Sequence, residues 1–164
     1  MPIVVADAGP LHYLVLIDLA ELLPRLFGKV LVPDIVCAEL SRPRTPAVVR
    51  DFLSARPTWL EIVPTQGVAS LPWKTLDDGE RAAIALAQSV GAALILVDDR
   101  AAVAAARAHG LVATGTLGVL DVAARAGLTD LAAALDRLRA TNFRCRQRVM
   151  DDLLALYEAD RTAP

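Results

Sequence analysis

The stretch L94-I95-L96-V97-D98-D99-R100 decides the fold of this chain, because an aliphatic run ends abruptly in two acids. The run Ala93–Val97 has the length and composition of a buried strand in a parallel sheet. A second stretch, V4-V5-A6-D7-A8-G9-P10, has the same pattern, with Asp7 directly after the aliphatic residues. The carboxyl ends of parallel strands share one edge of a sheet, where α/β proteins build their sites. We therefore expect Asp7 and Asp98 to lie near each other.

Strand and helix patterns alternate along the chain, which is typical of a parallel sheet covered by helices on both faces. The predicted strands are Ile3–Ala6, Val30–Val32, Leu60–Val63, Ala93–Val97 and Leu111–Thr114. The predicted helices are Leu11–Leu26, Asp34–Leu40, Ala47–Ala55, Asp77–Val90, Arg100–His109, Thr116–Ala126, Leu128–Arg139 and Arg146–Tyr157, with an irregular segment at Gln66–Lys74. We expect one three-layer α/β/α domain over residues 1–164, with the C-terminal helices packed on it or extending from it.

Composition narrows the classes of function. The chain has 164 residues, of which 55% are hydrophobic and only 4% aromatic, and its formal net charge is −2. Few aromatic residues argue against base stacking as the main way of binding nucleic acid, and the net charge gives no overall basic footprint. No apolar stretch is long enough to span a membrane, and no basic region precedes the first apolar residues. We expect a cytosolic protein without a signal peptide.

Two further acids occur where helices begin or end. Glu39 lies on the short helix Asp34–Leu40, and Asp34 is suited to cap that helix. Glu80 lies in the first turn of an Ala-rich helix. Both helices follow segments that can return to the sheet edge of Asp7 and Asp98. Four carboxylates in one cleft repel one another, and they supply the oxygen ligands that Mg²⁺ or Mn²⁺ prefers. The four acids together predict a divalent-metal site.

Each acid also has an ordinary structural explanation. Asp7 suits a helix N-cap, and Asp77 with Glu80 has the D-x-x-E spacing of a capping box. Asp98 or Asp99 can cap the helix that follows them, and a lone acid on a short helix is more often a solvated side chain. The metal hypothesis therefore depends on the four acids jointly.

Four segments, taken in order, resemble one known family. They are V4-V5-A6-D7, V36-C37-A38-E39-L40, D78-G79-E80-R81-A82-A83-I84-A85-L86-A87 and L96-V97-D98-D99, and G115-T116-L117-G118-V119-L120 with the paired helices after it adds to the likeness. The chain resembles PIN-domain nucleases, and more narrowly VapC-type toxins of toxin–antitoxin pairs. The resemblance implies a Rossmann-like sheet, a quartet of Asp7, Glu39, Glu80 and Asp98 that binds Mg²⁺ or Mn²⁺, and hydrolysis of RNA. It also implies a homodimer and a cognate antitoxin.

The chain departs from the family pattern at two points. Many relatives have Asp where Glu80 stands, and many have an aromatic residue shortly after the last acid, where this chain has R100-A101-A102. Helpers of the quartet are also expected. Thr116 is a candidate contact for metal-bound water or phosphate, with an N-cap as the alternative, and Asp99 is a candidate accessory acid. Candidate contacts for RNA or a partner, or ordinary surface arginines, are Arg42, Arg44, Arg144, Arg146 and Arg148.

Three functions compete on these observations. The first is a metal-dependent endoribonuclease that acts as a toxin, and the second is a catalytically inactive PIN-like binding or scaffold module. The intact quartet of acids speaks against the second. The third is a phosphoryl-accepting receiver or phosphatase, which would need a second acid beside Asp7 and a positioned lysine. Alanine and glycine follow Asp7, and the only lysines are Lys29 and Lys74.

Overall fold

The computed structural model describes residues 2–66 and 74–164, so most of the segment Gln66–Lys74, predicted to be irregular, lies outside the described residues. The described strands form one sheet in which every neighbouring pair is parallel, in the order β3-β2-β1-β4-β5. They are β1 (Val4–Ala6), β2 (Val30–Pro33), β3 (Leu60–Val63), β4 (Leu94–Leu96) and β5 (Ala113–Thr114). The five predicted strands are confirmed, although β5 begins two residues later than predicted.

Helices flank this sheet, so the predicted three-layer α/β/α class is confirmed. The described helices are α1 (Ala8–Leu16), α2 (Leu22–Phe27), α3 (Asp34–Leu40), α4 (Ala47–Ser54), α5 (Asp78–Ser89), α6 (Arg100–Ala108), α7 (Thr116–Arg125), α8 (Leu131–Arg139) and α9 (Gln147–Thr162). None of them, within the part of the chain that the structure describes, combines the length and the apolar character that crossing a membrane requires.

The core explains why the strands are aliphatic throughout. Val5 in β1 and Ile95 in β4 are fully buried, because helices cover both faces of a parallel sheet. The helices that pack on these strands contribute small side chains, such as Ala83 of α5 and Ala102 of α6. Small residues let a helix backbone approach the sheet closely, which accounts for the alanines on the buried faces of α5 and α6.

The order of the strands places a crevice between β1 and β4. The chain proceeds from β1 to β2 and β3 on one side, and adds β4 and β5 on the other side. Such a reversal of strand order opens a crevice at the carboxyl ends of the two central strands. Ala6 pairs with Leu96, and the backbone N–H of Asp7 donates to the Leu96 carbonyl at 2.9 Å. Asp7 and Asp98 therefore follow neighbouring strands at the same edge.

The prediction of one helix over Leu11–Leu26 is wrong. The segment forms α1 and α2, which are separated at Asp18, a residue in the left-handed region with a φ of 59°. The N–H of Leu19 donates to Leu14 O at 2.8 Å, and the N–H of Asp18 donates to Val15 O at 3.0 Å. These two bonds form a Schellman motif, which ends α1. An apolar periodicity continues across such a turn, so it does not reveal the break.

The predicted N-cap of α3 and the predicted start of α8 are also wrong. The residue before α3 is Pro33, so Asp34 is the first helical residue and not its N-cap. The carboxylate of Asp34 instead accepts hydrogen bonds from the N–H of Ile35 and from Thr65 beyond β3. Helix α8 begins at Leu131 and not at Leu128, because Asp130 caps it by accepting a bond from the N–H of Ala133 at 2.9 Å.

The chain forms two compact units, one that ends at Thr116 and a second that is Leu117–Pro164. The second unit holds buried leucines of α8, among them Leu135 and Leu138. Arg139 of α8 pairs with Asp151 of α9 at 2.7 Å, and this ion pair joins the two helices. A single domain over the whole chain stays a prediction.

Candidate metal centre

Asp7 is a buried acid at the carboxyl end of β1, with only 6% of its surface exposed. It occupies the N-cap position of α1, as expected, but its side chain makes no capping hydrogen bond. Within the described residues, its Oδ1 atom is buried and has no hydrogen-bond partner. A buried carboxylate oxygen without a partner is costly. Capping therefore does not explain why the chain places an acid here.

The surroundings of Asp7 favour its protonated form. Burial raises its pKa from 3.8 to about 8, and the backbone N–H of Ala8 opposes this increase. The negative charges of Asp77, Glu80 and Glu39 raise the pKa further. Like charges around a buried acid disfavour its ionised form until a cation offsets them.

Glu39 and Asp7 approach the same point on α5. A methyl group built on Gly79 would lie 2.9 Å from Glu39 Oε2 and 3.4 Å from Asp7 Oδ1. Carboxylates from β1 and α3 thus face the first turn of α5, and the absence of a side chain at Gly79 leaves room for them. Gly79 was not predicted to belong to the site, although a glycine within a helix, where it is less favourable than alanine, was the available signal.

Glu80 is held in place by the predicted capping box, which is confirmed. Its N–H donates to Asp77 Oδ1 at 2.8 Å, while its own Oε2 accepts from the N–H of Asp77 at 3.0 Å. Burial raises the pKa of Glu80 to about 7. The hydrogen bond from the backbone N–H of Asp77 lowers this pKa, whereas the negative charges of Asp77, Asp99 and Glu39 raise it. We name Asp7, Glu39 and Glu80 the acid cluster.

Burial also raises the pKa of Glu39, the third member of the acid cluster. The charge of Asp77 adds to this increase, whereas the positive charges of Arg42 and Arg44 oppose it. Both arginines are exposed in the loop after α3. Their electrostatic effect on Glu39 indicates that cationic side chains border the acid cluster.

Asp98 lies at the end of β4 and is held by Thr116. Its Oδ1 accepts from the backbone N–H of Thr116, and its Oδ2 accepts from the Thr116 hydroxyl, both at 2.7 Å. Methyl groups built on Gly9 and Gly115 would lie 2.9 and 2.5 Å from its two oxygens, so both glycines make room for this carboxylate. Burial raises the pKa of Asp98, and the two bonds from Thr116 oppose the increase.

The other candidate residues have different surroundings. Asp99 is exposed and caps α6, because its Oδ2 accepts from the N–H groups of Ala101 and Ala102 at 2.8 and 3.1 Å. Its capping role is therefore confirmed. The other arginines predicted to contact RNA or a partner are exposed and belong to the second unit: Arg144, Arg146 and Arg148.

The carboxylates of the acid cluster are suitable ligands for a hard divalent cation, although they are not arranged in the geometry of a metal site. Carboxylate oxygens are the ligands that Mg²⁺ and Mn²⁺ prefer, and Asp7 Oδ1 is a buried oxygen that no described residue contacts by a hydrogen bond. Across residues 2–66 and 74–164, no group of three or more His, Cys, Asp or Glu side chains has the arrangement of a metal site. A cation that binds here must draw the acids closer together.

A comparison with protein families agrees with this geometry. A family model described as PIN domain matches residues 3–159, which is nearly the whole chain. The chain belongs to the PIN-domain family. PIN domains are usually nucleases that act on nucleic acids, and they generally use divalent metals. No curated protein matches the chain. The predicted PIN domain is thus confirmed.

Proposed function

We propose that this PIN domain is a metal-dependent endoribonuclease that uses Mg²⁺ or Mn²⁺. The observation that supports this proposal best is the buried Oδ1 of Asp7, which has no hydrogen-bond partner among the described residues and faces Gly79 together with the carboxylate of Glu39. A purely structural acid at this position would be expected to have hydrogen-bond donors for both of its oxygens. Here the neighbouring charged groups that act on it are other acids.

Each acid has a separate part in this proposal. Asp7 and Glu39 would hold the cation, with Glu80 beside them, and the chemistry that such an ion supplies is activation of water and neutralisation of charge on the phosphate. The Thr116 hydroxyl and N–H fix both oxygens of Asp98, so this acid is oriented before any ligand arrives. Thr116 then acts by positioning Asp98, not by contacting phosphate itself.

Arg42 and Arg44 are proposed to bind RNA phosphates beside the acid cluster. Within the described residues neither guanidinium has an ion-pair partner. The hydrogen bonds that hold their loop include those from the N–H of Thr45 to Arg42 O at 2.9 Å and from Arg50 Nε to Thr45 O at 3.1 Å. A loop held in this way presents its cations to a polyanion at a low entropic cost.

Replacing both Arg42 and Arg44 with alanine should weaken the binding of single-stranded RNA. Because each phosphate contact releases a counterion, the slope of log affinity against log salt should fall by roughly 1–2. Fluorescence anisotropy across a salt series measures both effects. The matched control is the double variant Arg25→Ala, Arg107→Ala, which removes two exposed arginines elsewhere. Equal slopes for both double variants would contradict the assignment.

The narrower proposal is that the protein is the cytoplasmic toxin of a toxin–antitoxin pair. It is supported by the resemblance to VapC-type toxins, which also suggests a homodimer and an antitoxin that covers the acid cluster. Arg144, Arg146 and Arg148 are candidate contacts for acidic residues of that partner or for RNA. The gene beside this one should then encode a small protein with a DNA-binding region and a flexible tail. Co-purification of that protein, with loss of ribonuclease activity, tests the pairing.

The proposed activity has a direct test. The purified protein should cleave single-stranded or loop RNA in Mg²⁺ or Mn²⁺, EDTA should stop the cleavage, and restored metal should recover it. Cleavage that continues in EDTA would exclude the metal mechanism. DNA of the same sequence, assayed in parallel, distinguishes a ribonuclease from a nuclease of other specificity.

A catalytically inactive binding module is the second candidate. The observation in its favour is that no described group of three or more metal-ligating side chains is arranged as a metal site. The two candidates differ in one measurable property. A nuclease should gain thermal stability in Mn²⁺, whereas a module without a metal site should denature at the same temperature with and without the ion.

A further inference from the structure

Asp77 caps α5, and its carboxylate also lies close to the carboxylates of other acids. A methyl group built on Gly79 would lie 3.4 Å from Asp77 Oδ1, the same distance as from Asp7 Oδ1, and 2.9 Å from Glu39 Oε2. Three carboxylate oxygens from three parts of the chain therefore border one backbone position. One of them is the buried Oδ1 of Asp7, which has no hydrogen-bond partner in the part of the chain that the structure describes.

We propose that Asp77 belongs to the acid cluster as a positioning residue, in addition to capping α5. Its carboxylate fixes the start of the helix that carries Gly79 and Glu80, and its negative charge acts on the other acids. The part of this inference that concerns a bound cation rests on the proposed function. The part that concerns charge repulsion among the acids does not.

Two observations support a role beyond capping. The capping box is reciprocal, so Glu80 Oε2 is held on the N–H of Asp77 and the orientation of Glu80 depends on this turn. The second observation is that Asp77 Oδ1 lies beside Gly79 together with oxygens of Asp7 and Glu39, so its negative charge adds to the repulsion among these acids. An ordinary cap would hold its own helix and leave distant acids unaffected.

The chain offers a matched control, because Asp130 caps α8 with the same geometry. Asp130 Oδ1 accepts from the N–H of Ala133 at 2.9 Å, just as Asp77 Oδ1 accepts from the N–H of Glu80 at 2.8 Å. Both caps are exposed. Asparagine caps a helix about as well as aspartate, so Asp→Asn removes the charge and retains the cap, whereas Asp→Ala removes both.

The test compares Asp77→Asn, Asp77→Ala, Asp130→Asn and Asp130→Ala in the full chain. Loss of a cap should lower the Tm of both alanine variants by about 2–4 °C relative to their asparagine counterparts. In EDTA, Asp77→Asn should have a Tm higher than that of Asp130→Asn by at least about 2 °C, because repulsion within the acid cluster is relieved. By isothermal titration, Asp77→Asn should weaken Mn²⁺ binding about 10-fold, and Asp130→Asn should leave it unchanged.

The outcomes separate this inference from the proposed function. If the wild type binds Mn²⁺ and the two asparagine variants match in both Tm shift and Mn²⁺ affinity, Asp77 is a cap only and the inference is overturned. If the wild type binds no Mn²⁺ while Asp77→Asn still raises the metal-free Tm, the metal-dependent function fails and Asp77 remains a charged member of the acid cluster.

Discussion

Replacing Asp7 with asparagine should abolish the cleavage of RNA. The substitution removes one proposed ligand of the cation and retains nearly the same shape. Changes that only affect outer-shell partners of a metal already cost 10–100-fold, so the rate should fall by more than about 100-fold at saturating Mg²⁺. Single-turnover cleavage of a labelled RNA measures the loss directly. A variant that retains activity would remove Asp7 from the site.

The same substitution should stabilise the metal-free protein. At pH 8 the ionised Asp7 is buried among three other acids, and asparagine removes that cost. A gain of about 1–2 kcal/mol would raise the Tm by roughly 2–8 °C in a chain of this size. The matched control is Asp51→Asn, an exposed acid on α4 whose replacement should change neither activity nor stability. Loss of activity together with a lower Tm would indicate a damaged fold instead.

The stability of the metal-free protein should decrease as the pH rises from 7 to 8. Asp7 has a folded-state pKa of about 8 against an unfolded value of 3.8, so the folded state binds more protons within this interval. Stability therefore falls with rising pH, by up to about 1.4 kcal/mol per pH unit for one such group. Glu80, with a pKa of about 7, contributes mainly at lower pH. Urea denaturation in EDTA at closely spaced pH values measures the slope.

The other titrating groups explain why the interval from pH 7 to 8 is informative. Burial lowers the pKa of His12 from its usual value of 6.5, so its contribution to stability increases as the pH rises toward that value and opposes that of the acids. Above pH 7 the His12 contribution is nearly complete, and the loss from Asp7 remains. In Asp7→Asn the slope between pH 7 and 8 should fall to the smaller contribution of Glu80. In saturating Mn²⁺ the slope should nearly vanish for the wild type, since the bound cation keeps the acids ionised in the folded state, as they are in the unfolded state. A flat profile in the metal-free wild type would refute the raised pKa.

The sheet and its acids could be predicted because their signals are local. An aliphatic run that ends in Asp7 or Asp98 marks both a buried strand and its carboxyl end, and parallel pairing then brings the two ends together. The D-x-x-E spacing of Asp77 and Glu80 predicted a capping box from four consecutive residues, and the structure contains it. In each of these cases, neighbours in sequence supply the whole argument.

The remaining features depend on contacts between distant segments. Nothing near Gly79 in sequence indicates that the carboxylates of Asp7 and Glu39 approach it. Thr116 was considered a helix cap or a phosphate contact, whereas both of its donors bind Asp98, a residue 18 positions earlier. Such pairings follow from how the strands are ordered, and a local pattern does not encode that order. The same limit explains why Asp77 was taken for a cap alone.

The acid cluster is proposed to bind a divalent cation at the carboxyl edge of the sheet. Diffraction from wild-type crystals grown in Mn²⁺, measured on both sides of the manganese absorption edge, locates such a cation. We predict an anomalous peak within coordination distance of Asp7 and Glu39 oxygens, at about 2.0–2.4 Å, and no such peak in Asp7→Asn. A wild-type map without a peak at these acids, or with manganese bound only elsewhere, would show that the acid cluster is not a cation site.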